Sequence, residues 1–458
     1  MTDLRSDVPV TDSLYGRIAR NTAYLFGGTT AASVFTMLTV AVNARALSPR
    51  EFGVLVLLQS ATQMVAISTS FFTQQPVIKL GSLAQAEGDK SRLGKIISMG
   101  LLTDLFSSLI ALAIALTAIE FFSGAIGLAD RDLAAARIMA ATLIFTGYPT
   151  SNGIFRLFNR FGLLSLIQTL CAAGLLIASA ALYIGHSSFD EFVLAWAGYF
   201  ILNYQLQLWV SLYLVRRAAI PLQVKRRMFS GGDGRTFIQY CWSTWATSSV
   251  DTLRSSGDSL LVGAVVSVEA AGIYNVARQL AGVLRKFGTV YSATIFPEVS
   301  MLSAQDNVEG ARRLKTRMMS ATFLMGVAAV VGVVFFGHIV IQILFGARFE
   351  DGYVPLIFLT AAAAAQLVSQ TPSMYVQVYA GPKRLLFVYV TAIVAFSVAA
   401  IPLTFVLSIT GTAVAQLVFG LALVILCQFA LRDTPVSGGW GKQGFDSRPE
   451  LIRTRRKK

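Results

Sequence analysis

The sequence predicts an all-α polytopic membrane protein of about twelve transmembrane helices in two six-helix lobes related by an internal repeat. Three observations carry that prediction. Of the 458 residues, 55% are hydrophobic and only 14% charged, a balance far from that of a soluble domain. Apolar runs of about twenty residues, each able to cross a hydrocarbon core about 30 Å thick, recur along almost the whole chain. Finally, Leu47-Ser48-Pro49-Arg50-Glu51-Phe52-Gly53-Val54 lies over Val266-Ser267-Val268-Glu269-Ala270-Ala271-Gly272-Ile273 at constant offset. Each stretch is the turn after the first span of a six-span unit, and only the Ser and the Gly are identical.

Taken in order, a polar tail over residues 1–20 precedes span one, Asn21 to Val42. Ala44-Arg45-Ala46 imitates a signal-peptidase site, but the apolar run exceeds a signal core and another span follows at once, so the helix is expected uncleaved. Span two covers Gly53 to Phe72, followed by an expected loop with Lys79, Lys90, Arg92 and Lys95. Span three, Ile96 to Phe122, carries Asp104. Span four is Leu133 to Thr150. Spans five and six, Leu163 to Gly185 and Glu191 to Val215, close an N-lobe at residues 21–215. Asn203, Gln205 and Gln207 make span six too polar to face lipid alone.

Residues 216–235 read as a basic linker, turning at Gly231-Gly232-Asp233-Gly234, and residues 236–432 as the C-lobe. Span seven, Phe237 to Val266, is long for one straight crossing and forms a hairpin with span eight, which closes near Phe296-Pro297. Span nine runs from Ser320 to Phe336 with an interfacial segment through Phe349. Span ten, Val354 to Tyr379, has Gln366 and Gln370 on one face and a kink expected at Pro372. Spans eleven and twelve, Leu385 to Leu407 and Thr412 to Leu431, lead to a basic tail at 433–458.

The net charge of +14 has no soluble domain to be displayed on, which argues against nucleic acid as a partner. With both termini placed in the cytoplasm, most of the 38 Lys and Arg fall in the tails and cytoplasmic loops, as membrane topology demands. Cys171, Cys241 and Cys427 lie within spans without metal-like spacing, and His186 and His338 have no partner spacing either. No catalytic cluster, metal site or cofactor is therefore expected.

The chemistry concentrates in the seven–eight hairpin, where Asp251, Arg254, Asp258, Arg278, Arg285 and Lys286 sit inside otherwise apolar segments. A charge near a bilayer centre costs roughly 2.5–3.5 kcal/mol on insertion scales, so six of them point to function. Asp251, Arg254 and Asp258 fall within about 60° on one helix face. With a turn near Val268 to Gly272, Asp258 comes level with Arg278, and Asp251 with Arg285 and Lys286. Two acids against four bases leave positive charge suited to an anionic ligand. The competing reading is that such pairs merely lock helices together.

The chain resembles the polysaccharide and oligosaccharide-lipid flippases of the MOP superfamily. The residues that carry the resemblance are Ala44-Arg45-Ala46-Leu47-Ser48-Pro49-Arg50-Glu51-Phe52-Gly53, with Ser48 where that family more often has Gly. Gly272-Ile273-Tyr274, Phe296-Pro297-Glu298-Val299-Ser300 and Leu344-Phe345-Gly346 follow in the family's order. The resemblance implies a V of two lobes around a cationic cavity, in a monomeric inner-membrane transporter working with membrane lipids and other polysaccharide assembly proteins. It implies a substrate of oligosaccharide linked to undecaprenyl diphosphate, for O-antigen, exopolysaccharide or capsule, moved by alternating access. Arg254, Arg278, Arg285 and Lys286 would bind the diphosphate, and Asp251 and Asp258 would hold those cations or titrate during the cycle.

The alternatives are a cation-coupled multidrug exporter of the same architecture, for which surplus cavity acid is expected, and a peptidoglycan-precursor flippase. A membrane glycan polymerase or glycosyltransferase would need a larger external loop or domain than this chain shows.

Overall fold

The structure is a computed structural model that describes residues 14–122, 129–223, 228–305, 307–432 and 434. Within those helices, the side chains of residues 14–26, 122, 243, 246–256, 289–290, 292–294, 297, 304 and 382 fall outside the description. Among the described residues there is no strand.

The first half comprises α1 (Leu14–Ala46), α2 (Pro49–Thr69), α3 (Gln74–Ala86), α4 (Lys90–Phe122), α5 (Leu133–Ala141), α6 (Leu143–Thr146), α7 (Pro149–Leu157), α8 (Phe161–Ile184) and α9 (Phe189–Arg217). The second comprises α10 (Gly232–Val265), α11 (Val268–Ala304), α12 (Val308–Leu344), α13 (Tyr353–Tyr375) and α14 (Pro382–Ala430). α14 is two passes joined at Ser408, whose backbone turns sharply (φ 55°, ψ −138°). With α2–α3 and α5–α7 counted as interrupted passes and α14 as two, the described residues form twelve helical passes. Among the described residues, six helical segments are long and apolar enough on their own to span a membrane.

Two interruptions depart from the sequence expectation. The residues after span two form α3 instead of a loop, with Lys79 on it. Pro76 is tolerated in the first turn of α3, where its missing N–H has no intrahelical partner to lose, and Val77, Leu80 and Ala84 bury an apolar stripe. Span four is likewise not one helix. Tyr148, immediately before Pro149, is held out of the helical region (φ −118°, ψ 65°), so the pass restarts as α7. The kink expected at Pro372 appears one turn later, as a π-helical turn over Val376–Ala380.

The two identities in the internal repeat have separate physical causes. Ser48 and Ser267 are equivalent N-caps: Ser48 Oγ accepts from Glu51 N–H at 3.3 Å and Ser267 Oγ from Ala270 N–H at 3.0 Å. That cap starts α11 at Val268, so the hairpin turns at Val266–Ser267 and not at Val268 to Gly272 as expected. Gly53 and Gly272 meet each other where α2 crosses α11. A Cβ built on Gly272 would lie 3.2 Å from the Gly53 Cα, and one on Gly53 would lie 2.0 Å from the Val268 carbonyl oxygen.

Around this crossing the halves are sealed at the end where α1 turns into α2, here termed the hairpin end. Phe52 meets the Phe349 ring edge-on at 5.4 Å. Arg45 donates from Nε to the Leu344 carbonyl at 3.1 Å and from Nη2 to the Ile343 carbonyl, where the C-terminal carbonyls of α12 carry partial negative charge. Arg50 pairs with Asp132 at 2.8 Å and ties α2 to the start of α5. Leu47, Leu55 and Leu57 share one continuous core with Ala271, Ile341 and Phe345.

At the opposite end, where α1 begins and α14 finishes, α10 is fastened to the first half. Arg92 pairs with Asp233 at 2.7 Å, and Lys79 donates to Tyr240. The Arg92 guanidinium holds the Asp233 carboxyl below the usual carboxylate range, and hydrogen bonds to Asp233 and Glu87 hold the guanidinium charged. α1 packs along α8 and barely meets α11.

Candidate functional site

The charged hairpin is α10 and α11, and the structure separates its charges into distinct environments. Asp258 is 2% exposed and Arg278 Nη1 reaches its Oδ1 at 2.7 Å, the pair expected from helical rise. The same carboxylate accepts from Tyr274 Oη at 3.1 Å, Gln416 Nε2 at 3.2 Å and the Ser259 amide at 2.7 Å, while Arg278 also donates to Ser259 Oγ. This knot joins α10, α11 and α14. A buried pair is sustained by such secondary hydrogen bonds, which satisfy the lone pairs its partner leaves over. Tyr274 belongs to the Gly272-Ile273-Tyr274 stretch, and its hydroxyl is what that stretch contributes here.

Arg285 lies two turns further along α11. Its guanidinium folds back over Gly282, 3.4 Å from where a Cβ would stand, and donates to the Arg278 carbonyl at 3.4 Å. Lys286 takes a different direction. It lines a cavity of about 310 Å³ with Thr29, Ser33 and Thr36 of α1, Gln168 of α8, Tyr199 and Asn203 of α9, and Gln279 of α11. Ala32 is the one purely apolar lining side chain, and no carboxylate lines the cavity among the described residues. Of the polar residues of span six, Asn203 reaches the cavity and accepts from Gln207 Nε2 at 3.0 Å, while Gln205 Nε2 donates to the Phe145 carbonyl at 3.0 Å.

Asp251 and Arg254 lie on α10, and their side chains are among those outside the described residues. Sequence reasoning missed two partners of Asp258: Gln416, which linear spacing does not mark, and Tyr274, which stands one turn before Arg278 on the same face of α11. The sequence places a third carboxylate, Asp104 of α4, in span three without assigning it a role; it is 1% exposed. Cys171, Cys241 and Cys427 are buried free thiols, as expected.

The cavity lies between the two six-pass halves, one supplying a cation and the other neutral donors and acceptors. Residues 18–303 match the family described as polysaccharide biosynthesis protein. The chain belongs to that family. Among curated relatives, the inner membrane protein YghQ of Escherichia coli K12 is 24% identical over 350 residues, covering 75% of this chain and 96% of YghQ. The probable flippase AglR of Haloferax volcanii is 25% identical over 206 residues, covering 43% of this chain and 41% of AglR. Among solved structures, the lipid II flippase MurJ in an inward closed conformation superposes with a TM-score of 0.71 at 15% identity, covering 89% of this chain and 87% of MurJ. An inward-facing multidrug MATE transporter of the MOP superfamily gives 0.70 at 15% identity, covering 87% of this chain and 93% of that one. The fold is therefore the one seen in the MurJ flippase and in that MATE transporter.

Proposed function

We propose that the protein is a flippase that carries polyprenyl-diphosphate-linked oligosaccharide across the bacterial inner membrane for surface polysaccharide assembly, with both termini in the cytoplasm. The observation that carries this reading is the composition of the cavity. Lys286 provides a point charge for phosphate, while the hydroxyls of Thr29, Ser33, Thr36 and Tyr199 and the amides of Gln168, Asn203 and Gln279 suit sugar hydroxyls. Family membership and the probable flippase AglR support it. A cavity with a cation and no described carboxylate is a poor receiver of cationic drugs, which argues against the multidrug-exporter alternative despite the shared fold.

In this proposal Arg254, Arg285 and Lys286 attract the diphosphate. Asp258 and Arg278 hold α11 in place from behind, and Asp251 steadies the cations deeper in the hairpin. With the terminus end in the cytoplasm, the basic tails and loops fall on the cytoplasmic side, and sealing at the hairpin end leaves the cavity served from within.

The test is reconstitution in liposomes with a polyprenyl-diphosphate oligosaccharide, measuring the sugar's protection from an impermeant glycosidase added outside. Protein-dependent loss of protection is expected. Arg285→Ala should abolish it, and Lys286→Gln should slow it by about tenfold or more, as expected when a charge-assisted contact to phosphate is lost. Lys286→Arg should retain most of it. Unchanged flipping in both neutral variants would refute the cationic-site assignment.

A further inference from the structure

Asp104 presents a carboxylate with a design unlike that of Asp258. No cation pairs with it among the described residues. Instead Thr73 Oγ donates to Oδ1 at 2.6 Å, the Thr150 amide donates to Oδ2 at 2.9 Å, and Thr150 Oγ donates to Thr73 Oγ at 2.9 Å. The hydroxyl hydrogens thus point in single file from Thr150 through Thr73 to the carboxylate.

Both donors stand at the two interruptions of the first half. Thr73 closes the gap between α2 and α3, where Phe72 has positive φ (48°), and Thr150 opens α7 after the non-helical Gly147 and Tyr148. One face of α4 receives both gaps. Ser107 Oγ donates to the Thr69 carbonyl at 2.6 Å, Ser108 Oγ lies 3.5 Å from the Gly147 carbonyl, and Gly100 admits Thr150, whose Oγ would stand 2.5 Å from a Cβ there. The second half has no such device on the equivalent pass, where α11 runs unbroken from Val268 to Ala304. α10 touches the first gap as well, through Trp245 Nε1 donating to the Ser68 carbonyl at 2.6 Å.

We propose that Asp104 is a proton-binding site that couples a proton gradient to bending of the first half at these two gaps. When ionised, the carboxylate draws both the Thr73 hydroxyl and the positive N-terminal end of α7 onto α4. A proton arriving from the aqueous phase forms an O–H bond at Oδ1, which must then donate. The hydroxyl file reverses, with Asp104 donating to Thr73 and Thr73 to Thr150, and the Thr150 hydroxyl is left to seek a backbone carbonyl. The charge that held α7 is gone, and α3 and α7, which pack on each other, are released to swing together. Among the described residues, the ionisable groups facing Asp104 are Tyr148 before α7 and Cys241 of α10. Lys79 of α3 and Arg156 of α7 stand further along their helices, Lys79 held by Tyr240, and Lys95 of α4 lies toward the terminus end.

The test is hydrogen–deuterium exchange of the full chain in lipid nanodiscs, following residues 70–86 and 147–157 across pH, corrected for intrinsic exchange. In the wild type, protection of both segments should fall together by about tenfold as the pH drops, the loss expected for one charge-assisted hydrogen bond. Asp104→Asn should abolish that dependence and show low-pH exchange throughout, and Thr73→Val should displace its midpoint. Flat wild-type exchange, or an Asp104→Asn response like that of the wild type, would overturn the proposal. So would a response that follows sodium concentration at fixed pH. The wild-type scan decides the matter even if Asp104→Asn does not fold. No substrate is needed, so failure here leaves the flippase reading untouched.

Discussion

The Gly53–Gly272 crossing makes a quantitative demand on the seal at the hairpin end. Gly53→Ala places a methyl carbon 2.0 Å from the Val268 carbonyl oxygen, against a normal separation of about 3.3 Å, so α2 and the start of α11 must part by about 1.3 Å. The obstacle is backbone, which cannot rotate aside. Overpacking of this kind costs about 1–3 kcal/mol, and here it falls on the sealed state alone, shifting the balance away from it by about 5- to 150-fold. Leu47 is 3% exposed in the seal and serves as reporter. With Cys171, Cys241 and Cys427 replaced by Ala, Leu47→Cys is titrated with an impermeant maleimide applied from the hairpin side, with and without Gly53→Ala. Labelling should accelerate by that factor. Gly272→Ala should act more weakly, because its methyl would meet atoms at 3.1–3.2 Å. Equal labelling rates, or a larger effect at Gly272, would refute the crossing as the element that sets closure.

Other expectations concern the ion pairs. Asp258→Asn leaves the partly buried Arg278 guanidinium without its carboxylate and should destabilise the protein, by less than the about 3–5 kcal/mol expected for a fully buried pair, with Asp258→Asn/Arg278→Gln recovering part of the loss; equal thermal stability of the single and double variants, read by size-exclusion after heating, would contradict the knot. For Arg92–Asp233 the folded carboxyl titrates below its ordinary value. Its contribution is therefore complete above the usual carboxylate pKa of about 3.9 and is lost as pH falls through the lowered folded value. Since both side chains are about a quarter exposed, the difference in melting between wild type and Asp233→Asn should stay below about 1 kcal/mol at neutral pH and vanish in strong acid.

What was legible in the sequence follows from local rules. Span positions came from apolar runs, and the Asp258–Arg278 pair came from rise per residue along two antiparallel helices. The Ala44-to-Gly53 stretch was visible as a pattern. Its work became visible only in three dimensions: Arg45 on the α12 carbonyls, Ser48 and Glu51 in a reciprocal cap, Phe52 on Phe349, and Gly53 at the crossing. The Leu344-Phe345-Gly346 stretch proves to be the other side of that seal. Helix interruptions at residues 70–73 and 147–148 were not legible, because hydropathy does not register a backbone break whose polar groups are met by side chains of another helix. Asp104 was invisible as a site for the same reason, since its partners come from two distant segments.

A residue that touches its own repeat equivalent must stand on the axis relating the two halves. Gly53 and Gly272 lie close to it, but the contact is not strictly two-fold: Gly53 faces the Val268 carbonyl, whereas Gly272 faces the Phe52 ring and the Gly53 backbone. An isologous contact would give both copies the same clearance. The unequal clearances mean that a methyl group at one glycine and the same group at the other load the crossing differently, so the two halves cannot respond to strain there as symmetric equivalents.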